Sequence, residues 1–147
     1  MFGPHLTLDF YGCDKKKLSD KKFVHKILSE MPDNLGMNKF SEPQVTEVPS
    51  QGQNSFDRGG ITGFVILVES HMTIHTFPED GYASFDIFSC KEFDAESASD
   101  IIASKFEAKT YERNFMMRGR HFPKDIARSR QIVELERESS KVKEPKL

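Results

Sequence analysis

The sequence predicts an α+β fold, a two-layer sandwich in which a mainly antiparallel sheet carries two helices on one face. Three observations lead there. Alternating or continuous apolar segments recur at residues 6–11, 61–68, 72–77, 83–90 and 109–118. Two segments with helical spacing, ending near residues 31 and 106, divide them into the order strand, helix, strands, helix, strand. At 147 residues the chain is long enough for one core of its own and short for two.

Residues 6–11 (L-T-L-D-F-Y) alternate apolar and polar, so Asp9 faces away from Leu8 and Phe10. Residues 12–17 are charged and turn-like. Ser19 or Asp20 supplies an N-cap for a helix to about Met31, with Phe23, Ile27 and Met31 on one face and Pro32 and Gly36 ending it. His25 stands beside that face as a boundary histidine. Residues 39–49, with Val45 and Val48 between Pro43 and Pro49, suit a less regular strand. Residues 50–60 are rich in Gly, Ser, Asn and Gln and form a loop. Its one aromatic, Phe56, is either an anchor into the core or a stacking surface for a planar ligand group.

Residues 61–68 (I-T-G-F-V-I-L-V) are the most apolar run and suit a central strand. Two further strands, 72–77 and 83–90, are joined by a turn at 78–81. In the second, Phe85, Ile87 and Ser89 share one face and Asp86, Phe88 and Cys90 the other. Asp94 caps the second helix, with Ala98, Ile101, Ile102 and the stem of Lys105 turned inward. A last strand at 109–118 carries Tyr111, Phe115 and Met117. Each half of the chain pairs strands with a helix, but no internal sequence repeat accompanies this.

Composition narrows the function. A formal charge of −2 gives no overall electrostatic case for nucleic acid or an anionic membrane. No apolar run is long enough to span a bilayer and no signal-peptide pattern opens the chain, so a cytoplasmic protein with reduced thiols is expected. Cys13 and Cys90 make no disulfide framework. Thirteen Phe and no Trp make Phe the main aromatic core-former. After residue 118 the character changes: Arg118, Arg120, His121, Lys124, Arg128 and Arg130 form a basic cluster. A short helix at 132–138 and a polar, disordered end at 139–147 are expected. The chain thus divides into one domain, 1–118, and a basic, partly flexible extension, 119–147.

The residues that carry chemistry concentrate at 68–90, V-E-S-H-M-T-I-H-T-F-P-E-D-G-Y-A-S-F-D-I-F-S-C. Ser70, His75 and Cys90 offer a hydroxyl, an imidazole and a thiol, close along the chain and on what read as adjacent strands. Taken singly, each is an ordinary strand residue. Taken together, E-S-H at 69–71, I-H-T-F-P-E at 74–79, G-Y-A at 81–83 and D-x-F-x-C at 86–90 resemble the S-adenosylmethionine decarboxylase proenzyme family in its short prokaryotic form. G-x-H-L-x-x-D-x-Y-G-C at 3–13 is a weaker match to the same family. The resemblance spans roughly residues 3–118.

The resemblance implies a self-processing, pyruvoyl-dependent enzyme that decarboxylates S-adenosylmethionine for spermidine biosynthesis. The chain would cut itself between Glu69 and Ser70, and Ser70 would become the pyruvoyl group that forms a Schiff base with substrate. His75 would be the processing base, Cys90 the proton donor to the substrate α-carbon, and Thr62 a processing hydroxyl where relatives carry serine. Phe56, Phe77 and Glu79 match substrate-binding positions, with Phe77 standing where relatives often have tryptophan. Asp57 replaces a histidine common in the family. Relatives dimerise with their sites near the subunit interface, so a homodimer of processed protomers is expected.

Three other functions compete. Asp57 could pair with a basic side chain, giving an arginine or ornithine decarboxylase with the same cofactor. A non-catalytic binding or regulatory homologue would fit the fold, although Ser70, His75 and Cys90 are all present. RNA or phosphate binding through the basic cluster would need that patch to dominate an acidic chain. His71, His75 and Cys90 are zinc-ligand types, but His71 and His75 are four apart on one strand, too far for easy co-ligation, so no metal is expected.

Overall fold

The computed structural model describes residues 2–122. The expectations for Lys124, Arg128 and Arg130, for a helix at 132–138 and for a disordered end at 139–147 lie outside the described residues. Six strands form one sheet: β1 (Gly3–Tyr11), β2 (Gln44–Val48), β3 (Gly60–Leu67), β4 (Ser70–Phe77), β5 (Tyr82–Ser89) and β6 (Thr110–Arg118). Their order is β2-β3-β4-β5-β1-β6, and every neighbouring pair is antiparallel. Three helices, α1 (Lys15–Leu18), α2 (Lys21–Asn34) and α3 (Ala95–Lys105), complete the α+β sandwich.

Side-chain alternation decides which face the helices cover. Leu6, Leu8 and Phe10 of β1, Met72 and Ile74 of β4, and Phe85 and Ile87 of β5 are all buried, against Val24, Ile27, Leu28 and Met31 of α2 and Ala98 and Ile102 of α3. Burying a side chain such as Phe10, Phe85 or Phe106 contributes roughly 1.5–3 kcal/mol. The opposite face has no helix over it among the described residues. There Phe64 and Ile66 keep 43% and 44% of their exposure and Met116 keeps 50%. Among the described residues the sheet is therefore covered on one side only.

Helix boundaries follow their caps. Asp20, not Ser19, caps α2, accepting from Lys22 N and Phe23 N at 3.0 and 3.1 Å. The buried stripe is wider than Phe23, Ile27 and Met31 alone, because Val24 and Leu28 also face the sheet while Phe23 is only partly buried. Pro32 does not end the helix. It sits buried in the last turn, where a missing N–H removes a single bond, and Gly36 (φ +66°) closes the end. Asp94 caps α3 through Ser97 N at 2.9 Å, and Ser99 and Ala103 face inward while Ile101 lies at the edge.

Two segments differ from expectation. Residues 15–18 form a helical turn rather than a charged loop, because Asp14 accepts Lys17 N at 2.9 Å and Leu18 is driven into the core. Of residues 39–49, only Gln44–Val48 forms a strand, and Lys39 makes one isolated bridge to Leu67. Gly60 opens β3 against the Thr76 carbonyl, where no Cβ would fit.

Candidate active site

β3 and β4 form a hairpin in which Leu67 pairs with Ser70, leaving Val68 and Glu69 as a two-residue turn. Such turns ordinarily use Gly, Asn or Asp to reach positive φ at their central residues. Val and Glu do not supply that freedom. The positive φ falls instead on Ser70, at +152°, a conformation that costs a non-glycine residue on the order of 1–3 kcal/mol.

Glu69 is fixed at both ends. Its carboxylate is buried, accepting Asn38 N at 3.0 Å and Asn38 Nδ2 at 2.8 Å, and its backbone carbonyl accepts Cys90 N–H at 2.8 Å. Burial pushes the Glu69 carboxyl upward, but the two Asn38 bonds and the nearby Lys91 outweigh it and hold the group below the usual range. Cys90 follows Ser89, the cross-strand partner of Ser70, and its thiol is exposed. Glu69, Ser70 and Cys90 thus meet at one end of β4.

Thr62 and His75 meet at the other. They are cross-strand partners, with Thr62 Oγ1 3.0 Å from His75 Nδ1, on the open face of the sheet. Ser70 and His75 are on the same strand, not on adjacent ones as the sequence suggests. Five residues of extended chain separate them by about 17 Å. No single protomer brings these two side chains together.

Around His75 the loop and turn residues form two adjoining cavities that share Phe77. One, about 160 Å³, is lined by Asp57, Thr62, His75 and Phe77; the other, about 400 Å³, by Phe56, Arg58, Phe77, Asp80 and Tyr82. Phe56 is 96% exposed, so it is no core anchor. Phe77 stacks on Tyr82 with ring centroids 5.5 Å apart, and Tyr82 OH donates to Asp9 Oδ1 at 2.6 Å. Burial and that Asp9 contact push the Tyr82 phenol up to about 12. Glu79, in the 3-10 turn Pro78–Asp80, pairs with Lys15 Nζ at 2.6 Å, which holds its carboxyl low. Asp57 accepts Gly59 N at 2.9 Å, and Arg58 pairs with Asp80.

Thr76 illustrates how the hairpin is anchored. Its buried hydroxyl accepts Ile61 N at 2.9 Å and donates to the Leu18 carbonyl at 2.8 Å, tying β3, β4 and α1 together. Tyr82 was visible in the sequence only within its G-Y-A triplet, and Asn38 carried no signal. Among the described residues no three His, Cys, Asp or Glu side chains converge as a metal site would require, and Cys13 and Cys90 are both free thiols. No described helix is long and apolar enough to cross a membrane.

Comparison with known proteins gives the family. The family model described as S-adenosylmethionine decarboxylase matches residues 4–119. The chain is 38% identical over 117 residues to an S-adenosylmethionine decarboxylase proenzyme of Geobacillus sp. strain WCH70, covering 80% of this chain and 87% of that protein. The proenzyme of Bacillus velezensis is 37% identical, with 80% and 86% covered. The crystal structure of the adenosylmethionine decarboxylase from Aquifex aeolicus superposes with a TM-score of 0.66 at 28% identity, over 84% of this chain and 95% of that one. The chain belongs to the S-adenosylmethionine decarboxylase family.

Proposed function

We propose that this chain is a precursor that cuts its own backbone between Glu69 and Ser70 and then decarboxylates S-adenosylmethionine through a pyruvoyl group derived from Ser70. The observation that carries the proposal is the pairing of a strained Ser70 with a Glu69 carbonyl already held by Cys90 N–H at 2.8 Å. That donor is suited to the negative charge that develops on the carbonyl oxygen when Ser70 Oγ attacks. The Oγ–C bond forms, the C–N bond breaks, and the nitrogen leaves as an amine, giving an ester. A base then removes the Ser70 α-proton while the Cβ–Oγ bond breaks. This frees Glu69 as a carboxylate and leaves dehydroalanine, which tautomerises, adds water and loses ammonia.

His75 is assigned as that base. For its Nε2 to accept a proton, Nδ1–H must donate to Thr62 Oγ1, a contact already at 3.0 Å. Because about 17 Å of strand separates His75 from Ser70 in one protomer, we assign the two to different subunits of a homodimer. The open sheet face, with Phe64, Ile66, Phe88 and Met116 on it, is the surface for that contact, and a two-fold axis would bring each Thr62–His75 pair to the partner's cleavage site.

When present, the pyruvoyl ketone supplies an electrophile for the substrate amine and an electron sink as carbon dioxide leaves. The residues fit this role: Ser70 is partly accessible at a strand end, and the exposed Cys90 thiol stands next to it as proton donor. Phe56 and Phe77 are assigned to stacking on adenine and Glu79 to the ribose hydroxyls, with the Lys15 pair yielding to substrate. Residues 1–118 make the catalytic unit, and 119–147 stand outside this chemistry. Arginine or ornithine as substrate gains no support, since Asp57 spends its carboxylate on Gly59 N–H and the matched relatives carry the S-adenosylmethionine name. A non-catalytic role gains none either.

The test is an intact mass under reducing, denaturing conditions, followed by carbon dioxide release from S-adenosylmethionine, arginine and ornithine side by side. Two fragments split at 69/70, with the ketone mass on the larger, and release from S-adenosylmethionine alone are expected. A chain that stays whole, or release from a basic amino acid instead, overturns the proposal.

A further inference from the structure

We propose that Asn38 is a positioning residue for the self-cleavage, holding the Val68–Glu69 turn in the geometry from which Ser70 attacks. The inference rests on the self-processing reading above and adds to it a residue outside the motif. Asn38 grips the turn three times. Its N–H and Nδ2–H donate to the two Glu69 carboxylate oxygens at 3.0 and 2.8 Å, and its carbonyl accepts Val68 N–H at 2.9 Å.

The grip has a firm footing. Lys39 bridges to Leu67, Phe40 N donates to the Ile66 carbonyl at 2.9 Å, and Lys39 Nζ donates to Ser29 Oγ on α2 at 2.8 Å. The segment that carries Asn38 is thus tied both to the end of β3 and to the helix layer. From the other side, Cys90 N–H holds the Glu69 carbonyl.

With its side chain, carbonyl and preceding amide all held, Glu69 cannot relax, and the hairpin places its irregular torsion on Ser70, at φ +152°. A buried carboxylate without these donors would have to seek water or a proton and would carry the turn with it. None of the three Asn38 bonds involves the C–N bond that breaks. They persist after the cut and keep the new chain end seated beside Ser70.

The experiment follows first-order cleavage of the full-length precursor by intact mass across pH, with melting temperature measured alongside. Asn38→Ala should slow cleavage by about ten- to a hundredfold, in keeping with what small misplacements of reacting groups cost. Asn38→Asp sets two carboxylates face to face, so its rate relative to the unaltered chain should be lowest at neutral pH. That ratio should recover as pH falls into the carboxyl range, where a proton can be shared. Combining Asn38→Asp with Glu69→Gln exchanges amide and carboxylate and should restore part of the rate at neutral pH.

Cleavage of Asn38→Ala at the unaltered rate overturns the inference. So does an equal loss in both single variants at every pH, tracking melting temperature, with no rescue by the exchange. If the unaltered chain never cuts, the self-processing reading falls first and this inference falls with it.

Discussion

The sharpest test of the proposed dimeric site mixes two defective chains. Ser70→Ala removes the nucleophile and His75→Ala removes the base, so neither homodimer should mature. Along β4 the two positions are separated by about 17 Å, while a general base must come within roughly 3 Å of its proton, directly or through one water. No side-chain rotation closes that gap. A His75→Ala chain paired with a Ser70→Ala chain has an intact Ser70 and receives an intact His75 from its partner. With equal co-expression and random pairing, half the dimers are mixed, so about half of the His75→Ala chains should mature and no Ser70→Ala chain should. Distinct tags and intact mass read both numbers, counting chains that carry the terminal ketone. Isolated mixed dimers in which no His75→Ala chain matures, while the unaltered dimer does, refute the shared-site reasoning.

Three further outcomes are expected. Cys90→Ala keeps the backbone N–H that holds the Glu69 carbonyl, so backbone cleavage should proceed near normally while decarboxylation fails or the 70–147 fragment gains an N-terminal alanine; blocked cleavage contradicts the division between amide and thiol. Phe85→Ala empties a fully buried site on the helix-covered face of β5 and should cost about 3–5 kcal/mol, read by denaturant unfolding. Glu69 has a folded-state pKa held below its unfolded value, so its contribution is present above the ordinary carboxylate range and is lost as pH falls through the lowered pKa; in an uncleaved Ser70→Ala background, Asn38→Ala should flatten the acid limb of the stability profile.

Much of this architecture was legible in the sequence because it rests on local rules. Alternation in β1 and β5, the Asp20 and Asp94 caps and the apolar run of β3 each specify an element with little help from the rest of the chain. What sequence could not give was distance. Ser70 and His75 look adjacent in a motif, and only the register that pairs Leu67 with Ser70 shows a single strand holding them apart. Asn38 was invisible for a related reason: its bonds span 30 and 31 positions, and an asparagine near glycine reads as loop punctuation. The Lys15–Glu79 pair depends likewise on a helical turn formed by tertiary burial of Leu18.

The separation of the two halves of the motif has a physical consequence for maturation. The strained Ser70, the donor at Cys90 and the Asn38 grip are all internal to one protomer, so the proposed first step, attack on the Glu69 carbonyl, would be prepared in each chain as it folds. The elimination that follows needs a base, and the only one assigned stands at the far end of β4. Ester formation exchanges an amide for a less stable bond and is reversible, whereas elimination and loss of ammonia are not. Committing the chain would therefore depend on the step assigned to His75. A lone protomer would shuttle between amide and ester without losing its backbone, and burial of the open face against a second copy would supply the base and remove water from the site in one event. On the proposed homodimer, self-cleavage would be gated by assembly, and the exposed Phe64 and Ile66 that a monomer leaves in water would belong to the same device as the residues assigned to the chemistry.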